Sequence, residues 1–149
     1  MIAAAHTRYV LDASVAAKWF TRHDEADRQK AIALRALHAS GRCALVVPEF
    51  CLLEILNAVR FGGRADEADA ARALALLEKL RLDVVPLEWT LLHETMTIAW
   101  ATGLAMYDAA YVALAERLGV SLVTADDVMV RKLGGRASVV RLQDLHIPG

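Results

Sequence analysis

Only two cysteines occur in the 149 residues, Cys43 and Cys51, and both are flanked by aliphatic side chains. No Cys-x-x-Cys or cysteine/histidine metal spacing accompanies them, so a disulfide framework and a zinc site are set aside for buried thiols in a reducing compartment. Long apolar runs are also missing. Hydrophobic residues make up 56% of the chain, yet charge interrupts them every few positions. Nothing approaches the roughly 18 uninterrupted apolar residues of a membrane-spanning helix. The opening Met1 to Arg8 has neither the basic start nor the long apolar centre of a secretion signal, so a cytoplasmic protein without a membrane partner is expected. Basic charge is not in excess: the formal net charge is −1. That argues against a general nucleic-acid coat, but a local basic rim around an acidic pocket stays compatible, because steering depends on charge distribution. Linkers, repeats and low-complexity tracts are absent. Residues 1–149 therefore read as one domain, large enough for a core without disulfides.

What is present is an alternation of short strands and helices. Strands are expected at 8–11, 44–47, 82–85, 121–124 and 138–142, the first apolar at its centre as buried parallel strands tend to be. Ser14 is placed to cap a short helix with Val15, Ala16, Trp19 and Phe20 on its buried side. Asp24 with Asp27 opens a helix that Gly41 stops. Pro48 suits the first position of a helix ending at Gly62-Gly63. Asp66 and Asp69 repeat the capping signal for a helix reaching about Leu80. Thr90 is placed to cap another that stops at Gly103, Asp108 opens one closed by Gly119, and 127–133 is short, ending at Gly134-Gly135. This pattern predicts a three-layer α/β/α domain around a central, mostly parallel sheet of about five strands. Trp19, Phe20, Trp89 and Trp100 have apolar neighbours at helical positions, so core packing is expected. Trp19-Phe20 and the Ala/Leu-rich stretches 26–37 and 68–80 also offer an apolar groove.

Four acids stand where strands end or helices begin: Asp12, Glu54, Asp108 and Asp126. In open α/β sheets, ligands bind beyond the carboxyl ends of the strands, so acids delivered there from distant segments converge. Singly, three of them have plain explanations: Asp12 as a polar stop, Asp108 and Asp126 as helix caps. Glu54 resists one. Its neighbours are Leu53, Ile55 and Leu56, and one turn away stand only Phe50, Cys51, Asn57 and Ala58. A buried glutamate without a local partner calls for a metal or a distant cation. Packed carboxylates repel, and a hard divalent cation is the usual remedy. Asn57 shares a face with Glu54, while Ser14 and Thr124 stand two residues from Asp12 and Asp126, near enough to orient them.

The blocks Tyr9-Val10-Leu11-Asp12-Ala13-Ser14-Val15, Pro48 to Asn57, Tyr107 to Ala115 and Leu122-Val123-Thr124-Ala125-Asp126 resemble the PIN-domain ribonucleases, and more narrowly the VapC-type toxins of type II toxin–antitoxin modules. The order and distances match over nearly the whole chain. The resemblance implies that Asp12, Glu54, Asp108 and Asp126 are the catalytic, metal-binding quartet, supported by Ser14, Asn57 and Thr124. Asp127 is an extra acid beside the expected ligand, and the sequence alone leaves an exchange of roles with Asp126 open. Metal-dependent hydrolysis of RNA phosphodiester bonds is implied, leaving a 5′-phosphate and a 3′-hydroxyl, together with a homodimer and a cognate antitoxin that covers an apolar groove.

Oxygen-only ligands suit Mg²⁺ or Mn²⁺, as one ion or two. The five histidines show no metal-ligand spacing, so metal-free cleavage by paired histidines fits poorly. Phosphate contacts are sought among Lys18, Arg60, Arg64, Arg131, Lys132 and Arg136, each of which also reads as a solvated surface charge. Proteins read RNA sequence chiefly in single-stranded loops, which makes a structured RNA such as a tRNA a reasonable substrate. The alternative is a non-catalytic α/β module that binds metal or protein. A signalling receiver fits less well, because Asp12 has no adjacent acid and Leu142 is followed by Gln143 rather than lysine. A haloacid-dehalogenase-type phosphatase would want a second aspartate where Ser14 stands.

Overall fold

Thr7–Leu11 (β1), Cys43–Pro48 (β2), Asp83–Val85 (β3), Ser121–Thr124 (β4) and Val139–Arg141 (β5) form one parallel sheet in the order β3-β2-β1-β4-β5. They are seen in a computed structural model that describes residues 6–21, 25–136 and 138–149. The central strands earn their place by composition: Val10, Leu11, Leu45, Val46, Val47, Leu122 and Val123 are all fully buried. From β1 the chain winds outward through β2 to β3, then crosses back to β4 and β5 on the other side. That reversal opens a crevice at the carboxyl ends of β1 and β4. Leu11 lies opposite Val123, and the Asp12 N–H donates to the Val123 carbonyl at 3.0 Å.

Helices cover both faces, giving the expected α/β/α architecture. Ala13–Ala16 (α1) runs into a 3-10 turn at Ala17–Trp19, followed by Glu25–Ala39 (α2), Cys51–Phe61 (α3) and Glu67–Leu80 (α4). Trp89–Thr102 (α5) packs against Met106–Leu118 (α6), and Asp127–Leu133 (α7) precedes β5. Every residue of α6 from Ala109 to Ala115 is buried, and the helix lies against β1, β2 and β4. Asp108, immediately before that run, is thereby carried to the sheet. Among the described residues, no single helix is long and apolar enough to cross a membrane.

Several local expectations need correction. Pro48 closes β2 opposite Val85 instead of opening a helix; pairing with β1 has ended at Val46, so its missing N–H costs no bond on that side. Thr90 lies inside α5, whose N-cap is Glu88. Asp108 is the third residue of α6, behind the N-cap Ala105. Ser14 lies within α1, and its hydroxyl serves Asp12 rather than the helix end. The fifth strand is shorter than predicted, because Leu142 turns into a 3-10 helix and is fully buried. Asp24 falls outside the described residues. The Asp66/Asp69 capping box forms as expected, with reciprocal hydrogen bonds of 2.8 and 2.9 Å. Trp19 is buried, but Trp89 and Trp100 are 81% and 82% exposed. Leu91, Thr95, Ile98 and Ala99 take the inner face of α5 and turn both tryptophans outward.

Candidate active site

Asp12 is set by β1 and enclosed, at 5% exposure. It occupies the N-cap position of α1 without capping it. Oδ2 instead accepts from Ser14 Oγ at 2.5 Å and Thr124 Oγ1 at 2.8 Å. Each hydroxyl accepts in return from the loop after β4: Ser14 from the Ala125 N–H at 3.0 Å, Thr124 from the Asp126 N–H at 3.0 Å. Both hydroxyl protons are therefore directed at one carboxylate oxygen, the arrangement an ionised Asp12 requires. Burial pushes the Asp12 carboxyl up, the two hydroxyls pull against it, and the charge of Asp126 adds to the rise.

Asp126 N-caps α7, with Oδ1 accepting from the Val128 and Met129 N–H groups at 2.9 and 3.1 Å. The plain capping role is real, but it uses only one oxygen. Asp127 points elsewhere, its Oδ1 lying 3.7 Å from Arg141 Nε. Of the two neighbours, Asp126 is the one whose charge bears on Asp12 and Asp108. Asp108 is half-buried and raised to about 6, first by burial, then by Asp12 and Asp126, with Lys132 opposing. Lys132 itself donates to the Gly103 carbonyl at 3.3 Å.

Glu54 differs from its sequence reading. It is half-buried rather than enclosed, because α3 is buried on one side only: Cys51, Ile55 and Val59 are buried while Leu53 is 68% exposed. Nor does it lack a partner, since Tyr111 Oη donates to Oε1 at 2.7 Å. Burial raises the Glu54 carboxyl, the tyrosine lowers it, and Asp12 and Asp108 raise it again. Tyr111 has its own hydroxyl pushed far up by burial, so it stays a donor. Sequence reasoning gave Tyr111 no role, although it stands three residues after Asp108 and so on the same helical face.

The four acids are thus one electrostatic group, gathered from four segments. As they stand, no three acid, histidine or cysteine side chains among the described residues lie close enough to hold an ion together. The donor set fits a hard divalent ion: all oxygen, with the hydrogen bonds supplied by hydroxyls and backbone N–H groups.

Elsewhere, Asn57 is exposed and no described hydrogen bond ties it to Glu54. Arg60 and Arg131 are exposed, Arg60 lying 5.1 Å over the Phe61 ring. Lys18 is not the surface charge it resembled: it is buried in the 3-10 turn and engaged by a partner. A separate groove of about 750 Å³, lined by Phe20, Val59, Arg64, Ala73 and Leu76 among others, contains none of the four acids.

The PIN-domain family model matches residues 9–134. The chain belongs to the PIN-domain family. PIN-domain nucleases are hydrolases that act on RNA and generally use divalent metal ions. Among solved structures, this PIN domain is similar to the Pyrobaculum aerophilum protein PAE2754, at 28% identity and a TM-score of 0.64, with 94% of this chain and 93% of that one covered. It is also similar to Mycobacterium tuberculosis VapC20, a sarcin-ricin loop cleaving toxin, at 16% identity and a TM-score of 0.63, covering 83% and 93%. A toxin–antitoxin complex from Klebsiella pneumoniae matches at 12% identity and a TM-score of 0.67, covering 92% and 99%. The last two likenesses speak to the fold alone. No curated protein matches the chain in sequence.

Proposed function

We propose that this PIN domain, residues 1–149 acting as one unit, is a divalent-metal-dependent endoribonuclease and the toxin of a toxin–antitoxin pair. The observation that carries the reading is that Asp12, Glu54, Asp108 and Asp126, near the switch of strand order, bear on one another's charge, while the described hydrogen bonds to Asp12, Glu54 and Asp126 come from neutral donors. Asp12 and Asp108 are the residues that would hold Mg²⁺ or Mn²⁺ directly, with Glu54 and Asp126 binding directly or through water. A cation there supplies the activation of a water and stabilisation of the leaving oxygen in phosphodiester hydrolysis. Ser14 and Thr124 fix one oxygen of Asp12, and the start of α7 fixes one oxygen of Asp126. Each acid is thereby oriented before any ligand arrives.

RNA is the substrate, a structured one with an exposed loop such as a tRNA, since proteins read RNA sequence chiefly where bases are unpaired. Arg60, Arg64 and Arg131 are proposed phosphate contacts; Lys18, being buried, would act only if its enclosure opens. The groove beside Phe20 and Arg64 is proposed for the antitoxin. The outer face of α5, with Trp89, Met96 and Trp100, supports a homodimer. Trp100→Asp is expected to weaken self-association at least about 10-fold, as removal of an interface tryptophan typically does. Sedimentation equilibrium measures it, and an unchanged constant removes that face from the interface.

Labelled RNA incubated with the protein should be cut with Mg²⁺ or Mn²⁺ and left intact with EDTA. Cleavage that persists in EDTA contradicts the reading. A folded protein that binds the ion but never cuts RNA favours the non-catalytic module. Thr124→Val keeps the shape while removing a donor to Asp12 and an acceptor for the Asp126 N–H. It should lower the cleavage rate about 10–100-fold, and the unfolding free energy by about 1–3 kcal/mol in urea titrations.

A further inference from the structure

We infer that Tyr111 is a positioning residue for Glu54: its hydroxyl, delivered from α6, holds Oε1 and leaves Oε2 turned over to the acidic cluster. The phenol is fully buried, and its Oη lies 2.7 Å from Glu54 Oε1. No other described group donates to either oxygen of that carboxylate. The ring is itself held. Phe50, the N-cap residue of α3, packs edge-on against it with centroids 5.3 Å apart and planes at 79°. Tyr111 therefore touches the helix bearing Glu54 twice, at its first turn and at the acid.

Three residues before Glu54 on the same helix, the Cys51 thiol donates to the Leu11 carbonyl at 4.0 Å. Cys51 thus ties α3 to the strand end that carries Asp12, and Tyr111 ties Glu54 on that helix to α6. Packing alone would be served by phenylalanine; the oxygen adds only the polar contacts. A neutral donor also suits the place chemically. It satisfies one carboxylate oxygen without cancelling charge, whereas lysine or arginine would compete with a cation.

The inference rests on the proposed metal-dependent reading, so its test is read first by Mn²⁺ binding, independently of RNA. Wild type, Tyr111→Phe, Glu54→Ala and the double variant are titrated with Mn²⁺ and followed by electron paramagnetic resonance of the free ion. Tyr111→Phe should bind Mn²⁺ about 10-fold more weakly, yet cause no further loss once Glu54 is alanine. Its cleavage of RNA should fall in kcat with KM unchanged. The double variant leaves neither an orphaned carboxylate nor an orphaned hydroxyl, so its comparison with Glu54→Ala stands even if Tyr111→Phe alone fails to fold. Wild-type affinity in Tyr111→Phe, or an added loss in the alanine background, overturns the inference, as does a wild type that binds no Mn²⁺. If Mn²⁺ binding behaves as expected while wild type cuts no RNA, the nuclease reading fails and the role of Tyr111 stands.

Discussion

Asp12→Asn is expected to lower RNA cleavage at least about 100-fold, since changes to groups that merely orient a metal ligand already cost 10–100-fold. The apo protein should keep its thermal stability or gain some. Asp12 is 5% exposed, and burial opposes its charge while Ser14 and Thr124 support it. Asparagine presents an oxygen to the same two hydroxyls and removes the charge that burial and Asp126 disfavour. A structural acid would behave in the opposite way, its loss costing stability and sparing chemistry. Single-turnover cleavage of labelled RNA, with thermal unfolding in EDTA, separates the two. A folded Asp12→Asn protein that cuts RNA at the wild-type rate removes Asp12 from the machinery.

Stability should also respond to pH and metal in a defined direction. Asp108 is raised from 3.8 to about 6, and Asp12 and Glu54 are raised as well. Between the unfolded and folded values the native state binds more protons than the unfolded chain, so its stability falls as pH rises through that window. Above about 6 the repulsion is fully present. The share from Asp108 alone, discounted because the group is half-exposed, is on the order of 1 kcal/mol. The apo protein should therefore melt a few degrees lower at pH 7.5 than at pH 5. Mn²⁺ at about 100 times its Kd should restore about 2.7 kcal/mol at pH 7.5. Little of that gain should remain at pH 5, where protons compete for the same carboxylates. Scanning calorimetry at both pH values, with EDTA and with Mn²⁺, gives all four temperatures. Equal melting at the two pH values, with no response to Mn²⁺, would mean that the acids do not strain the fold.

Elements bounded by strong local chemistry were legible. The Asp66/Asp69 box opens α4, Gly119 closes α6, and Ser121–Thr124 and Asp127–Leu133 lie where their apolar runs and glycine stops put them. Expectations failed where the answer depended on a partner from elsewhere. Trp89 and Trp100 sit among apolar residues on a helix, but which face of α5 meets α6 is decided in three dimensions. Pro48 satisfies helix-start chemistry and strand-end chemistry equally, and pairing with β3 selects the second. Leu53 beside Glu54 made that acid look enclosed, although neighbours in sequence lie about 100° apart on a helix. Its partner Tyr111, 57 residues away, leaves no local trace. That Asp12, Glu54, Asp108 and Asp126 bear on one another's charge follows from strand ends in this topology lying side by side. Asp126 and Asp127 differ in a way that the sequence does not show: the first caps α7 and the second faces Arg141.

Crystals grown with Mn²⁺ and measured at a wavelength where manganese scatters anomalously would show directly where a cation settles. An anomalous peak within bonding distance of Asp12 and Asp108, its surroundings completed by Glu54 or Asp126, is the predicted result. Saturating Mn²⁺ with no peak at the carboxyl ends of β1 and β4, in crystals where the crevice is open to solvent, would contradict it.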